Sequence, residues 1–197
     1  MMSSPAPPAV ESGEATRARI LEVARELFAT QGFAATSTRE LSERLGFTKA
    51  ALYYYFRTKD DLLTALLEPL RTPMATLVAQ TPLSCSPAAR RAVLVAYVDV
   101  VVENLDLIRV LTQDPSVAHR PASLAQAPLY RRIVQLLCGT DTPDVAQQAR
   151  ARAALGAIRA GLVRADPEQD SQIVRDATLA AACGALGVPA PRAGRPG

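Results

Sequence analysis

The sequence predicts an all-α fold of about nine helices: an N-terminal three-helix unit containing a helix-turn-helix, followed by a longer helical domain. Three observations lead there. Alanine and leucine abound while aromatics make up only 5% of the chain, a composition that favours helices. Cap residues, glycines and prolines punctuate the sequence, and apolar residues fall at three- and four-residue spacing between them. Residues 37–56 form two short segments of this kind joined at Gly46. There is no convincing strand pair and no internal repeat.

Each element can be justified in order. Residues 1–13 combine Pro5, Pro7, Pro8 and Gly13 with small polar residues, and residues 188–197 hold Pro189, Pro191 and Pro196; both read as disordered tails. Between them, residues 14–60 form the three-helix unit and 61–187 the longer domain. A first helix runs from about Ala15 to Thr30, with Ile20, Ala24, Leu27 and Phe28 on one face and Gly32 as its stop. Ser37-x-x-Glu40 is a capping box opening the second helix, which closes at Gly46. Thr48 caps the third, which reaches about Phe56.

Thr58-x-x-Asp61 is another capping box and starts a long fourth helix, in which Leu63, Leu66, Leu67, Leu70, Met74 and Leu77 keep helical spacing. Pro69 and Pro73 lie inside it and predict a kink or a break. Ser86-Pro87, a cap followed by proline at the first helical position, opens the fifth helix. Its stretch from Ala92 to Val102 is rich in valine, which favours strand; length, absence of glycine and helical neighbours decide for a buried helix. A shorter helix covers about Leu105 to Leu111, and residues 114–127 carry no readable signal. Pro128 opens a helix to about Cys138. Thr142-Pro143 and Asp166-Pro167 repeat the cap-then-proline signal and start the last two helices, about 143–163 and 167–184.

Composition bounds the function. At 197 residues, 49% hydrophobic and mean hydropathy +0.08, the chain has enough apolar content for a core and too much for a disordered protein. Residues 15–60 hold eight basic and five acidic side chains, so a net charge of +3, equal to that of the whole chain, falls on this segment, where phosphate contact needs it. Cys85, Cys138 and Cys183 are isolated and lack metal-ligand spacing, which reads as free thiols in a reducing compartment. The start has no basic segment followed by an apolar one, and the weakly polar run from Ala177 to Pro191 is short for a membrane span and cut by glycine and proline. A cytoplasmic protein without metal, cofactor or membrane contact is the expectation. No base with a partner stands out as a catalytic set, so an enzyme is not expected.

The third helix carries the chemistry. At 100° per residue, Leu52, Tyr55 and Phe56 share the side that packs on the first two helices. Ala50, Tyr53 and Tyr54 point the other way, with Lys49 at the edge. Small side chains at Ala50 and Ala51 let the backbone approach base edges, while lysine and tyrosine donate to phosphate oxygens or guanine acceptors. Thr38 and Arg39 occupy the first turn of the second helix, where amides and the dipole favour phosphate, and Lys59 sits on the first turn of the fourth. Taken singly, each charge reads as a solvated surface residue. Three consecutive tyrosines do not, because Tyr53 and Tyr54 cannot both be buried by one face.

Residues 15–62 resemble the DNA-binding domain of the TetR family of transcriptional regulators. The resemblance is carried by Phe28, Gly32, Thr36-Ser37, Leu41, Gly46-Phe47-Thr48-Lys49, Leu52-Tyr53, Phe56 and Lys59-Asp60-Asp61-Leu62. It implies a homodimer that places the third helix of each subunit in the major groove of half a pseudo-palindromic double-stranded DNA operator. It also implies that Thr38, Arg39, Thr48, Lys49, Ala51, Tyr53, Tyr54 and Lys59 line the DNA face: Arg39 and Lys49 toward bases, Tyr53 and Lys59 toward phosphates. Ala50 stands where many relatives have glycine or proline.

The same resemblance implies that residues 61–187 form a ligand-binding and dimerisation domain, with a repressor released by a small-molecule effector. An apolar fifth helix serves equally as core or as the wall of a pocket. Tyr97, Asp99, Arg109, Gln113, His119 and Tyr130 are the polar groups most suited to line such a pocket, although Asp99 with Glu103 and Arg91 also reads as a solvated stripe. The last two helices are rich in alanine and glycine, which permits close helix approach and suits the dimer interface that the resemblance implies. The alternative is a ligand-independent DNA-binding or partner-binding regulator with a filled C-terminal core.

Overall fold

The computed structural model describes residues 12–83, 86–120, 123, 126–166 and 171–190. Among these residues there are nine α-helices and no strand: α1 (Gly13–Gln31), α2 (Thr38–Leu45), α3 (Lys49–Tyr55), α4 (Lys59–Gln80), α5 (Pro87–Glu103), α6 (Leu105–Gln113), α7 (Ala127–Cys138), α8 (Val145–Val163) and α9 (Ser171–Leu186). A single 3-10 turn, Val117–His119, lies in the stretch that gives no sequence signal. The expected tails fall almost wholly outside the described residues, as does the Asp166-Pro167 start of the last helix beyond Asp166.

Most helix starts follow from the capping residues. The Ser37, Thr48, Thr58 and Ser86 hydroxyls each accept the backbone N–H three residues on. Two starts differ from expectation. Ser12, not a residue near Ala15, caps α1 by accepting the Ala15 N–H. Asp144 rather than Thr142 caps α8, because Asp144 and Gln147 complete a reciprocal capping box starting two residues later. At α2 the box is half made: Ser37 accepts the Glu40 N–H, but the Glu40 carboxylate turns away to accept the Gln31 side-chain amide at 2.8 Å. Gly46 closes α2 at φ 70°, a left-handed conformation that glycine adopts without steric penalty.

The predicted break at Pro69 and Pro73 does not occur; α4 is a single helix through both. The two prolines lie four residues apart and both are exposed, and the carbonyls that lose their helical donors are those of Ala65 and Pro69. The opposite face of α4 is locked by buried Leu62, Leu63, Leu66, Leu67 and Met74.

Two clusters of buried side chains hold the chain together. The first gathers Ile20, Phe28, Phe33, Leu41, Leu52 and Leu63 from α1 to α4. It also takes in Leu107 of α6 and Val117 of the 3-10 turn, so the N-terminal unit is completed by residues far along the chain. The second cluster is built by α5, α7, α8 and α9 with the end of α4, and α5 forms its centre through Val93, Leu94 and Val98. Leu70 packs against both.

Helices α8 and α9 make the most extensive pairing. Gly161 sets their closest approach: a Cβ there would stand 2.4 Å from the Thr178 hydroxyl and 3.2 Å from its Cβ. Thr178 is buried and β-branched, so it yields poorly. Gly161→Ala gains about 1 kcal/mol in helix propensity but meets an overpacking penalty of about 1–3 kcal/mol. A net loss of about 1 kcal/mol in urea unfolding is expected, coupled to Thr178→Ala in a double-mutant cycle. A Gly161→Ala variant as stable as the parent refutes the contact.

Candidate nucleic-acid interface and inner cavity

Helix α3 divides its residues as the 100° spacing predicts. Leu52 and Phe56 are buried and Tyr55 is partly so, while Lys49 and Ala50 face solvent. Tyr54 is 84% exposed and Tyr53 43%, far more than any apolar contact requires. The Tyr54 ring meets Tyr55 edge to face at 5.2 Å, which holds both aromatic planes. The Tyr53 hydroxyl lies 3.4 Å from Thr38 Oγ1, tying the exposed helix to the first turn of α2. Ala51 is half-buried and donates its N–H to the Thr48 hydroxyl at 3.1 Å. Arg39 is exposed and paired with Glu43 at 2.7 Å, and both hydrogen bond and charge raise the guanidinium pKa. A surface pair of this kind is readily exchanged for a better anion.

Lys59 departs from the expected phosphate contact. Its ammonium donates to the carbonyls of Phe33 at 2.6 Å, Thr36 at 2.8 Å and Ala34 at 3.4 Å, and lies 4.4 Å from the centre of the Phe33 ring. With three donors committed inward, it ties the loop between α1 and α2 to the start of α4. Burial pushes its pKa below the ordinary lysine value, and the neighbouring Arg120 adds to that, while Asp60 and Asp114 oppose it.

The same loop is held from the other side. Asp114, just past α6, accepts the Ala34 N–H at 2.8 Å and the Ser116 N–H at 2.9 Å. Arg120 stacks 5.0 Å from the Phe33 ring and reaches Asp60 at 3.6 Å. No feature of residues 114–127 taken alone could have found these contacts, since they depend on where the turn lands.

Behind this joint lies a cavity of about 1070 Å³, bounded by α4, α5, α6, α7 and α8. Of the side chains expected at such a pocket, Tyr97, Arg109 and Tyr130 line it. Asp99 does not: it faces away and pairs with Arg175 of α9. His119 is exposed and lies outside the lining, and the side chain of Gln113 falls outside the described residues. Arg159 and Arg164 line it and were missed, because α8 reads from sequence as a small-residue helix. Gly156 and Ala160 also line this space. Burial raises the pKa of the Tyr97 phenol, opposed by the charge of Arg159.

Fold and site together define a helix-turn-helix protein with an appended helical domain that encloses a cavity. Residues 20–66 match the family model described as bacterial regulatory proteins, tetR family. The chain is 38% identical over 60 residues to the regulator TtgR of Pseudomonas putida, covering 30% of this chain and 29% of that protein. It is 32% identical over 119 residues to the transcriptional repressor Rv1474c of Mycobacterium tuberculosis, covering 57% of this chain and 62% of that one. The chain thus spans from under a third to about three fifths of these relatives' lengths. Over the whole fold it superposes on the ketosteroid transcriptional regulator KstR2 of Mycobacterium tuberculosis with TM-score 0.65 at 22% identity, covering 90% of this chain and 96% of that one. No helix among the described residues is long and apolar enough to cross a membrane.

Proposed function

We propose that this protein is a cytoplasmic repressor that binds a pseudo-palindromic operator as a homodimer and leaves it when a small molecule enters the cavity. The observation that carries the reading is the exposed face of α3, where Lys49, Tyr53 and Tyr54 stand clear of the body of the protein. Arg39 and Lys49 reach base edges, Tyr53 a phosphate, and Thr38, Thr48, Ala51 and Tyr54 complete the groove contact. Dimerisation uses the exposed small residues of α8 and α9, among them Ala149, Ala153, Ala177, Ala181 and Gly184. It sets two α3 helices about one DNA turn, roughly 34 Å, apart.

Release follows from shared parts. Asp114 both lines the cavity and accepts the Ala34 N–H of the loop that leads into α2. A ligand that moves the end of α6 moves that loop, and the two α3 helices lose their spacing. The relation is a shift between two states, and a ligand with equal affinity for both shifts nothing.

Selecting bound fragments from genomic DNA supplies the operator and the first test. Lys49→Ala is then expected to raise the operator Kd about tenfold, within the range of about 1–3 kcal/mol for a base contact. Tyr53→Phe is expected to weaken all sequences alike and to leave the salt slope unchanged, because the phenol carries no charge that releases a counterion. Unchanged operator affinity in both variants sinks the assignment of α3.

A further inference from the structure

We propose that the cavity takes an amphipathic carboxylate, its apolar body lodged between α4, α6 and α7 and its anionic head at the α8 rim beside Arg159 and Arg164. This rests on reading the cavity as the effector site and adds the chemical class of the effector.

The body follows from the walls. Leu67, Leu70, Met74, Ile108, Leu129 and Ile133 line the space from three helices, and its volume of about 1070 Å³ accepts a ligand of ordinary metabolite size. An apolar chain or ring is favoured there by the area it removes from water.

The head follows from charge. Three arginines, Arg109, Arg159 and Arg164, line the cavity against one carboxylate, Asp114. Asp114 is occupied by the backbone N–H groups of Ala34 and Ser116. Arg109 is anchored by the carbonyls of Val163 and Ala165, at 3.2 and 3.1 Å, and approaches Asp106 only to 3.9 Å. Arg159 and Arg164 are exposed at the rim, and neither forms an ion pair with another described residue. The charge of Arg159 reaches the Tyr97 phenol, which burial keeps in its protonated, donating form. Two guanidinium groups and a phenol donor beside an apolar space suit an anionic oxygen head. A cationic head meets net repulsion there, and a neutral one leaves both guanidinium groups without a counter-charge.

The test uses the full chain and three probes of equal length at neutral pH and low salt: decanoate, decanol and decylammonium. Isothermal titration is expected to give a decanoate Kd about tenfold below that of decanol, the ratio for one charge-assisted contact, with decylammonium weakest. Arg159→Gln with Arg164→Gln should abolish the advantage of decanoate. Arg159→Glu with Arg164→Glu should pass it to decylammonium; both pairs are exposed positions at which folding is checked by thermal melting. Equal affinities for the three probes, a preference for decylammonium in the parent protein, or no decanoate binding overturns the assignment. Operator affinity measured in parallel separates this from the release mechanism. A decanoate preference that leaves the operator Kd unchanged keeps the ligand class and overturns release, and decylammonium binding that frees the operator does the reverse.

Discussion

Replacing Lys59 by methionine is expected to lower the stability of the N-terminal unit by about 2 kcal/mol, because it removes a charged donor from two part-buried carbonyls and one exposed one. The methylene stem is nearly preserved, so the loss reports the ammonium. Its partners, the carbonyls of Phe33, Ala34 and Thr36, all belong to one loop, and no other side chain among the described residues donates to them. Arg120, which also faces the Phe33 ring, is already engaged with Asp60. Urea unfolding followed by tyrosine fluorescence measures the effect, and hydrogen exchange locates it in residues 32–37. Operator affinity falls as well, because the loop orients α2 and through it the Thr38–Tyr53 contact. A pure phosphate-binding role makes the opposite forecast: parent-like stability with a salt slope lower by about one. Stability within about 0.5 kcal/mol of the parent would exclude the scaffolding role.

Lys59 also shows what the sequence can and cannot disclose. Its position on the first turn of α4 was legible from the Thr58-x-x-Asp61 box, and so was its closeness to the DNA-facing unit. The direction of its side chain was not, since that depends on a loop carbonyl more than twenty residues earlier. Local signals served the recognition helix well: Thr48, the 100° spacing and the apolar Leu52 and Phe56 suffice to place Lys49 and Tyr53 on the outside. Of the kink or break expected at Pro69 and Pro73, the break is absent, because burial along five positions of α4 outweighs the local propensity of the two prolines. Local signals failed at the cavity for another reason. A pocket is a property of several helices at once, so Arg159 on α8 and Tyr97 on α5 share one space with no pattern linking them in sequence. Asp99, two residues past Tyr97 and so on the opposite side of α5, goes instead to Arg175.

Replacing Asp114 by alanine is expected to weaken the joint between the two halves of the molecule by about 1–2 kcal/mol, the scale of a charge-assisted bond to a partly exposed amide. The effect has a pH signature. The Ala34 N–H, foremost, and then Ser116 hold the Asp114 carboxyl below its ordinary value of 3.8. A carboxyl whose folded pKa is depressed stabilises the fold above its unfolded pKa and loses that contribution as pH falls through the folded value. The stability difference between parent and Asp114→Ala should therefore be flat near neutral pH and shrink below about pH 4. Asp114→Asn, which keeps one acceptor oxygen for either Ala34 or Ser116, should fall between the two and show no such titration. The functional consequence separates the joint from ordinary packing. If Asp114 carries the signal, its alanine variant still binds a cavity ligand, but that ligand no longer changes operator affinity to the parent's extent. A variant with parent-like coupling would mean that the cavity acts on the DNA-binding unit by way of Leu67 and Leu70 of α4 or Val117 of the 3-10 turn, which touch both the cavity and the N-terminal core.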